Sequence, residues 1–552
     1  MRLVSTTVGP ASIAVGQNGP TQLVEAYNAG TGTLALTVAS SVSWVTATVG
    51  AAAPCTTIFT VATCVPISVA LNTSSLKAGM QTGILTVTGA SGTVDSPQTI
   101  TVTVNMGGAV PSSINVYVPP NGSTQVFTPT NSNLRWQATT QDGNNWLSMT
   151  ISGSGSFKFV YPWYVQIAAT PANTPGTYTG TMNLSTSSFA ADNQNIAVTM
   201  NVTTQPIVQA PAAVNVVLAQ GAPPLGPPYT SVPITLTNLG LGNLQVSSAG
   251  VTGSQPAGCT TTWLTVTAAP AGASLTIDPT GLPIGTCSQT VGFTTNAANA
   301  TQVSVPVNLQ VVAKGSPQIN YQGVVDNATF TPGGSVSPGD IVLVKGSQLS
   351  FDGAALGGYT PGPAPPLATT VGGASVTVNG EPAPLFYAFY NQLAFQMPVD
   401  TALGTAVVQT ARDDGTVSNL ASVPVVARAP GILVITKADY TVPSAANPAH
   451  AGDALIIWSI GMGPTSPSVA TGQPAPSGPF AQLIDTATVG FGVGLSTVPA
   501  TATPFFAGLA APYAGLYQIN VLVPQNSPTG AINVAVSFAD GTLSNSYPIV
   551  VQ

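Results

Sequence analysis

The chain has 552 residues, and only 25 carry a formal charge: 9 Lys or Arg and 16 Asp or Glu, with one His beside them and a net charge of −7. A globular chain ordinarily has about a quarter charged residues. Here the fraction is 5%, which excludes functions that draw on many ionisable side chains, among them nucleic-acid binding, phosphate binding and most acid–base catalysis.

Hydrophobic residues make up 44%, too many for a chain kept disordered by polarity and charge. At roughly 100–150 residues per domain the length predicts four or five domains. Val and Thr are abundant, and their branched β-carbons suit a pleated surface; the helix formers Glu, Lys and Arg are scarce. The composition is all-β. No stretch approaches the ~18 apolar residues of a membrane helix, and there is no polybasic segment, so neither membrane insertion nor a nucleic-acid partner is expected. The opening MRLVSTTVGP lacks the apolar core of a signal peptide. It fits either a cytosolic chain or the processed form of an exported one.

Three units follow in order, at 1–107, 108–205 and 206–313. Each closes on an alternating strand with Asn in the same place: VTVNM (102–106, Asn105), VTMNV (198–202, Asn201) and VPVNL (305–309, Asn308). Each contains a Trp in a similar strand: SWVTAT (Trp44), NWLSMT (Trp146) and TWLTVT (Trp263). Between them comes a Gly turn and a strand, around Gly79, Gly176 and Gly285, where glycine supplies a positive-φ turn. The first unit holds Cys55 and Cys64, the third Cys259 and Cys287. Neither pair has metal-site spacing. Two disulfides, Cys55–Cys64 and Cys259–Cys287, are one reading and buried free thiols the other. Disulfides imply an oxidising compartment outside the cytoplasm and favour the exported form. The second unit is richest in aromatics. Trp136, Tyr161, Trp163 and Tyr164 offer a stacking platform for sugars, against the competing reading that a Trp in an alternating strand fills a core.

The W-[VL]-[ST] segment, the G-T-Y-T-G-T-type turn and the closing strand together resemble BACON domains across about 1–313. That resemblance implies Ig-like antiparallel β-sandwiches of secreted bacterial proteins, and the family's name suggests carbohydrate binding.

The last 239 residues form a different pair of units, 314–428 and 429–552. Gln392/Gln518, Pro398/Pro524, Gly404/Gly530 and Asp414/Asp540 share one offset of 126, and DGTVSN (414–419) recurs as DGTLSN (540–545). Asp-Gly between apolar strands signals a hairpin. In LFYAFYNQL (385–393), alternation puts Phe386 and Tyr390 inside and Tyr387 and Phe389 at the surface; core packing or inter-domain contact is the reading for this segment. VGGASVTVNGEPAPLFYAFYNQLAFQMP, NPAHAGDALIIWSIGMGP and FAGLAAPYAGLYQINVLVP resemble the uncharacterised C-terminal domain of acidobacterial (Solibacter-type) secreted proteins. The resemblance implies export and a multidomain surface protein, without an activity. The whole chain is thus expected to be a tandem array of about five Ig-like β-sandwiches.

Candidates for chemistry are few. His450 lies in NPAHAGD, a turn beside Asp453, and no GxSxG elbow exists. Glu25 and Glu381 are the only glutamates and fall in different units, whereas glycosidases need two facing carboxylates. Asp413 and Asp414 read as solvated turn residues. No cofactor motif or metal site is present, and the chain reads as no enzyme. Six N-x-[ST] sequons begin at Asn72, Asn121, Asn183, Asn201, Asn299 and Asn327.

The leading expectation is an extracellular structural protein that polymerises with itself into a filament, sheath or surface layer through strand edges or inter-domain contacts. Its N-terminal segment, Met1 to about Val15, or an exposed edge would complete a sheet in the next copy. The alternative is a carbohydrate-binding or adhesive surface protein. No charged residue occurs between Asp192 and Asp278, so subunit contacts are expected along the N-terminal units.

Overall fold

The computed structural model describes residues 1–58, 60–107, 110–128, 135–151, 163–170, 173–186, 190–227, 230, 232–253, 258–259, 261–352, 360–495 and 499–552. These residues form an all-β chain of tandem β-sandwiches, with no α-helix among them.

The first three sandwiches share one topology. In each, a four-stranded sheet places the closing strand between the opening strand and the strand that follows the Gly turn. Its members are Thr7–Ile13, Gln98–Met106, Gly79–Gly89 and Leu36–Ser40 in the first. They are Ser113–Val118, Asn195–Val202, Gly176–Ser185 and Arg135–Thr140 in the second, and Val214–Ala219, Gln302–Val312, Gly285–Thr295 and Val246–Thr252 in the third. The opening and closing strands pair in parallel in all three. A second sheet packs on each, so the inward residues alternate with outward Thr, Ser and Asn as two facing sheets require. The repeated Asn lies on this alternation's outer face: Asn201 donates to the Asn115 side chain at 2.6 Å, and Asn308 to Asn215 at 2.8 Å.

Trp44, Trp146 and Trp263 are all buried in their cores. The Gly-x-x-x-Gly spacing of the first two units has a packing reason. A Cβ at Gly83 or Gly180 would stand 3.4 Å from the ring of Trp44 or Trp146 and closer still to other neighbours.

The N-terminal segment is used at home. Arg2–Leu3 pairs with Tyr27 and Ala26, Thr7–Ile13 lies against the closing strand, and Met1 is buried with its ammonium donating to the Val94 carbonyl at 2.8 Å. The expected donation of residues 1–15 to another copy is therefore corrected. Those strands already complete their own sandwich, and withdrawing them would open its core.

The fourth and fifth sandwiches repeat each other. Gln318–Asp326, Ile341–Ser347, Gln392–Gln396 and Leu385–Ala388 run side by side in the fourth. Gly431–Lys437, Ala454–Ile460, Tyr517–Leu522 and Phe506–Leu509 do so in the fifth. The facing sheets centre on Gly404–Arg412 and Gly530–Phe538. The repeated hairpin is a latch. Gly415 and Gly541 take φ of 80° and 86°, a turn glycine tolerates. Asp414 and Asp540 accept the amides of Thr416 and Thr542. Asn419 and Asn545 then each make two bonds with one backbone unit about a hundred residues earlier, at Ile319 and Ile432.

Both latches also hold the linker in front of their sandwich. Lys314 pairs with Asp414 at 3.3 Å and lies 4.5 Å from the Phe351 ring centre. Arg428 pairs with Asp540 at 3.4 Å and with Asp485, and lies 4.4 Å over Phe538. Asp414 is thus exposed but ion-paired, where free solvation was expected. In the 385–393 segment, Phe389 is buried, contrary to the surface position that alternation gives it. Phe389 lies just past the strand Leu385–Ala388, in the bend before Gln392–Gln396, where its amide donates to the Gln392 carbonyl at 2.7 Å and its ring meets that of Tyr387 edge-on, 5.1 Å between centres. Tyr390 packs into the core of the third sandwich, where its hydroxyl accepts the Ala219 amide at 2.8 Å.

Candidate functional site

A cleft of about 740 Å³ lies where the first sandwich meets the fourth. The contact that builds it is small. The Tyr321 amide donates to Asp95 Oδ1 at 3.0 Å, Asp95 pairs with Arg2, and the Arg2 guanidinium lies 5.2 Å from the centre of the Tyr321 ring.

Tyr321 reaches this position through a bulge. Ile319 pairs with Gly346 and Val324 with Val344, so residues 320–323 stand opposite Lys345 alone. In the fifth sandwich the matching strand bulges only at residue 433, between Ile432 and Val434. Gln322 carries a positive φ of 55°, a conformation that costs energy for a residue with a side chain. Its amide rests against Gly333, where a Cβ would stand 2.7 Å from Gln322 Nε2. The extra residues thus hold Tyr321 out from the sheet, 41% exposed.

The lining mixes polar side chains with apolar ones such as Leu34, Leu420 and Pro424, and its charges are the paired Arg2 and the terminal ammonium, which donates to Val94. Loops 28–34 and 90–94 come from the first sandwich, residues 320–322, 333, 405 and 419–424 from the fourth. The side chains of Asn320, Gln322, Thr33, Ser91 and Thr405 are among the groups that line it. Such a surface offers amide and hydroxyl hydrogen bonds and an aromatic ring.

The sequence-derived aromatic platform is differently disposed. Trp136 lies on the edge strand Arg135–Thr140, 39% exposed. Trp163 and Tyr164 belong to Trp163–Ala168, in the other sheet of that sandwich. Tyr161 lies outside the described residues. Tyr321 escaped sequence reasoning because no aromatic motif surrounds it. The usable signal was the extra length of QINYQGVVD when the two C-terminal repeats are aligned.

The remaining candidates have structural roles. The disulfides Cys55–Cys64 and Cys259–Cys287 are formed and no cysteine is free. Glu25 is buried; burial pushes its carboxyl up, but hydrogen bonds from the amides and hydroxyls of Thr56 and Thr57 outweigh this and hold it below the usual carboxylate range. It pins the loop that Cys55–Cys64 closes. Asp453 accepts the His450 amide at 2.8 Å, capping their turn. Among the described residues no cluster of His, Cys, Asp or Glu suits a metal ion.

No known protein family matches the chain, and no curated protein does. Solved structures are similar at low identity. A Bacteroides ovatus mixed-linkage glucan utilization locus protein, SGBP-B, in complex with a mixed-linkage heptasaccharide, is 14% identical, with 63% of this chain and 71% of that chain covered and a TM-score of 0.21. Drosophila N-cadherin EC1-4 is 10% identical over 70% of this chain and 93% of that one, at a TM-score of 0.20. The human desmocollin-1 ectodomain is 10% identical over 99% and 98%, at 0.16. Scores this low carry no argument about function.

Proposed function

We propose that the protein is an exported, non-enzymatic binding protein of the cell exterior that holds a neutral glycan in the cleft between its first and fourth sandwiches. One observation carries the reading: a large cleft in which uncharged amides and hydroxyls alternate with apolar side chains around an exposed tyrosine. Sugars without charge need hydrogen-bonding groups for their hydroxyls and an apolar face for their C–H surfaces, and a few placed polar groups in a concave site supply orientation. Two disulfides support export, because they persist in oxidising compartments. A panel of neutral oligosaccharides titrated by calorimetry tests it, with Tyr321→Ala as the variant. Binding to at least one glycan, weakened about tenfold or more by the variant as for other buried aromatic anchors, is the expected result. No binding by the wild type, or equal binding by Tyr321→Ala, would overturn it.

Self-assembly remains as a second reading, for a specific reason. Leu36–Ser40, Arg135–Thr140 and Val246–Thr252 end their sheets, as do Val45–Val49, Leu147–Ile151 and Leu264–Ala269. Arg135 is the one charge in these six strands, and charges are the usual guards against edge-to-edge pairing. Electron microscopy of wild type beside Thr37→Lys and Thr139→Lys tests it. Ordered polymers lost in the variants would support it; monomers of the wild type at high concentration would remove it.

A further inference from the structure

A second cavity, about 360 Å³, opens between the fourth and fifth sandwiches. At ~30 Å³ for each water of the liquid it has room for roughly a dozen waters. Its walls are apolar: Pro338, Val399, Leu403, Val469, Leu509 and the Tyr517 ring. Gly515 forms part of its floor with φ of 68°; a Cβ there would stand 3.0 Å from the Gly339 carbonyl and 3.1 Å from Gln396 Nε2. Only glycine lets the backbone approach so closely without displacing the joint.

Of the polar side chains in the lining, Ser468 is exposed at the surface and the other three are committed within the fold. The Tyr517 hydroxyl donates to the Gly463 carbonyl at 2.5 Å. Gln396 accepts the Gly472 amide at 2.6 Å through Oε1 and donates to the Gly339 carbonyl at 3.2 Å through Nε2. The Thr465 hydroxyl donates to the Pro467 carbonyl at 3.2 Å. Of the charges nearest by sequence, Asp400, next to Val399, is exposed, and two others are held within the fold. Arg428, next to Ala427, is held by Asp485 and Asp540. Asp340, next to Gly339, is fully buried and accepts the amides of Ser337 and Ile341. A sugar or an ion entering this cavity would find few groups to replace its lost water.

The repeat supplies an internal control. Between Pro398 and Gly404 the fourth sandwich reads VDTAL, and the fifth reads QNSPT between Pro524 and Gly530. At the offset of 126, Val399 corresponds to Gln525 and Leu403 to Thr529. The same loop is therefore apolar in the copy that lines the cavity and polar in the other. Packing of the joint does not account for the two apolar residues, because Val399 remains 41% and Leu403 62% exposed.

We propose that this cavity is a binding site for a small, uncharged, apolar molecule, of the size of a two-ring aromatic or a short acyl chain, with Val399 and Leu403 forming its mouth. The site is independent of the glycan cleft and stands if that reading fails.

N-phenyl-1-naphthylamine, a neutral fluorophore brightened by apolar surroundings, is the probe, titrated into the full chain. The expected result is a saturable, one-site rise in fluorescence. The double variant Val399→Gln, Leu403→Thr, which installs the fifth sandwich's residues at exposed positions, should bind about tenfold or more weakly, on the scale of lost apolar contacts in a pocket. The anionic analogue 1-anilino-8-naphthalenesulfonate should also bind more weakly than the neutral probe. Phe505→Ser, an exposed apolar residue elsewhere, should leave binding unchanged. Non-saturable binding, binding unaffected by the double variant while its circular dichroism matches wild type, or preference for the anionic probe would each overturn the proposal.

Discussion

Asp340 is the residue whose protonation matters most. It is fully buried at the joint of the last two sandwiches, and burial, with Asp326 nearby adding repulsion, pushes its carboxyl well above the usual range despite two backbone amides that favour the anion. An acid raised in the folded state contributes stability that is whole below its unfolded value, about 3.9. That contribution is lost as pH rises through the folded value. Thermal unfolding should therefore show Asp340→Asn gaining on the wild type as pH rises from about 4, since the amide has no charge to bury, although its one oxygen can serve only one of the amides of Ser337 and Ile341. Equal differences at pH 4 and pH 8 would remove this account. Asp414 and Glu25 act in the opposite direction. Their carboxyls are held low, so their contribution is present above the unfolded value and lost as pH falls through the folded one. At this scale the sequence was readable wherever alternation was unbroken, as at the three buried tryptophans. It misled at Phe389, which lies just past its strand, in the bend before the next, where alternation no longer sets which side chains are covered.

Strands and turns were the most legible elements, because their chemistry is local. A φ-T-φ-N-φ strand and an Asp-Gly turn carry their own geometry. The last residue of DGTxSN was different: its partner lies about a hundred residues away, so its latch role could be seen only once the two sheets were together. Asn545→Ala should remove two hydrogen bonds to Ile432 and destabilise the fifth sandwich by about 2 kcal/mol, at ~1 kcal/mol for each. Chemical denaturation followed through Tyr440 and Trp458, whose rings lie 6.4 Å apart in that sandwich, would measure it. The two disulfides close loops of different length, with separations of 9 and 28 residues. Loop entropy alone gives about 2.5 and 3.5 kcal/mol. Reduction should accordingly sensitise the third sandwich to protease more than the first, as mass spectrometry of the early fragments would show.

The arrangement of whole sandwiches was the least legible level. The joints use residues whose partners lie far along the chain: Tyr390 with Ala219, Gln396 with Gly472, and Asp95 with Tyr321. The return of the first sandwich to the fourth depends on Asp95 meeting Arg2 and the Tyr321 amide. Hydrogen bonds to charged groups contribute about 1.5–3 kcal/mol. Asp95→Ala should therefore let the first sandwich swing away, raising the radius of gyration in small-angle scattering and weakening any ligand of the cleft. Circular dichroism should stay unchanged, because each sandwich keeps its own core. An unchanged radius would show that the contact does not hold the units together.

The parallel pairing of opening and closing strands gives the first three sandwiches a shared response to tension. A pull on the chain at either side of such a unit drags the two strands past each other along their length. The hydrogen bonds between them lie across the pull and are loaded together rather than one after another. Six consecutive residue pairs share that load in the second and third sandwiches, whereas in the first the register breaks between Val8 and Ala11. In the fourth and fifth, opening and closing strands lie in different sheets, so the load takes another path. Under force, where the rate of unfolding governs survival, the second and third sandwiches are built to resist shear and the first to slip before them.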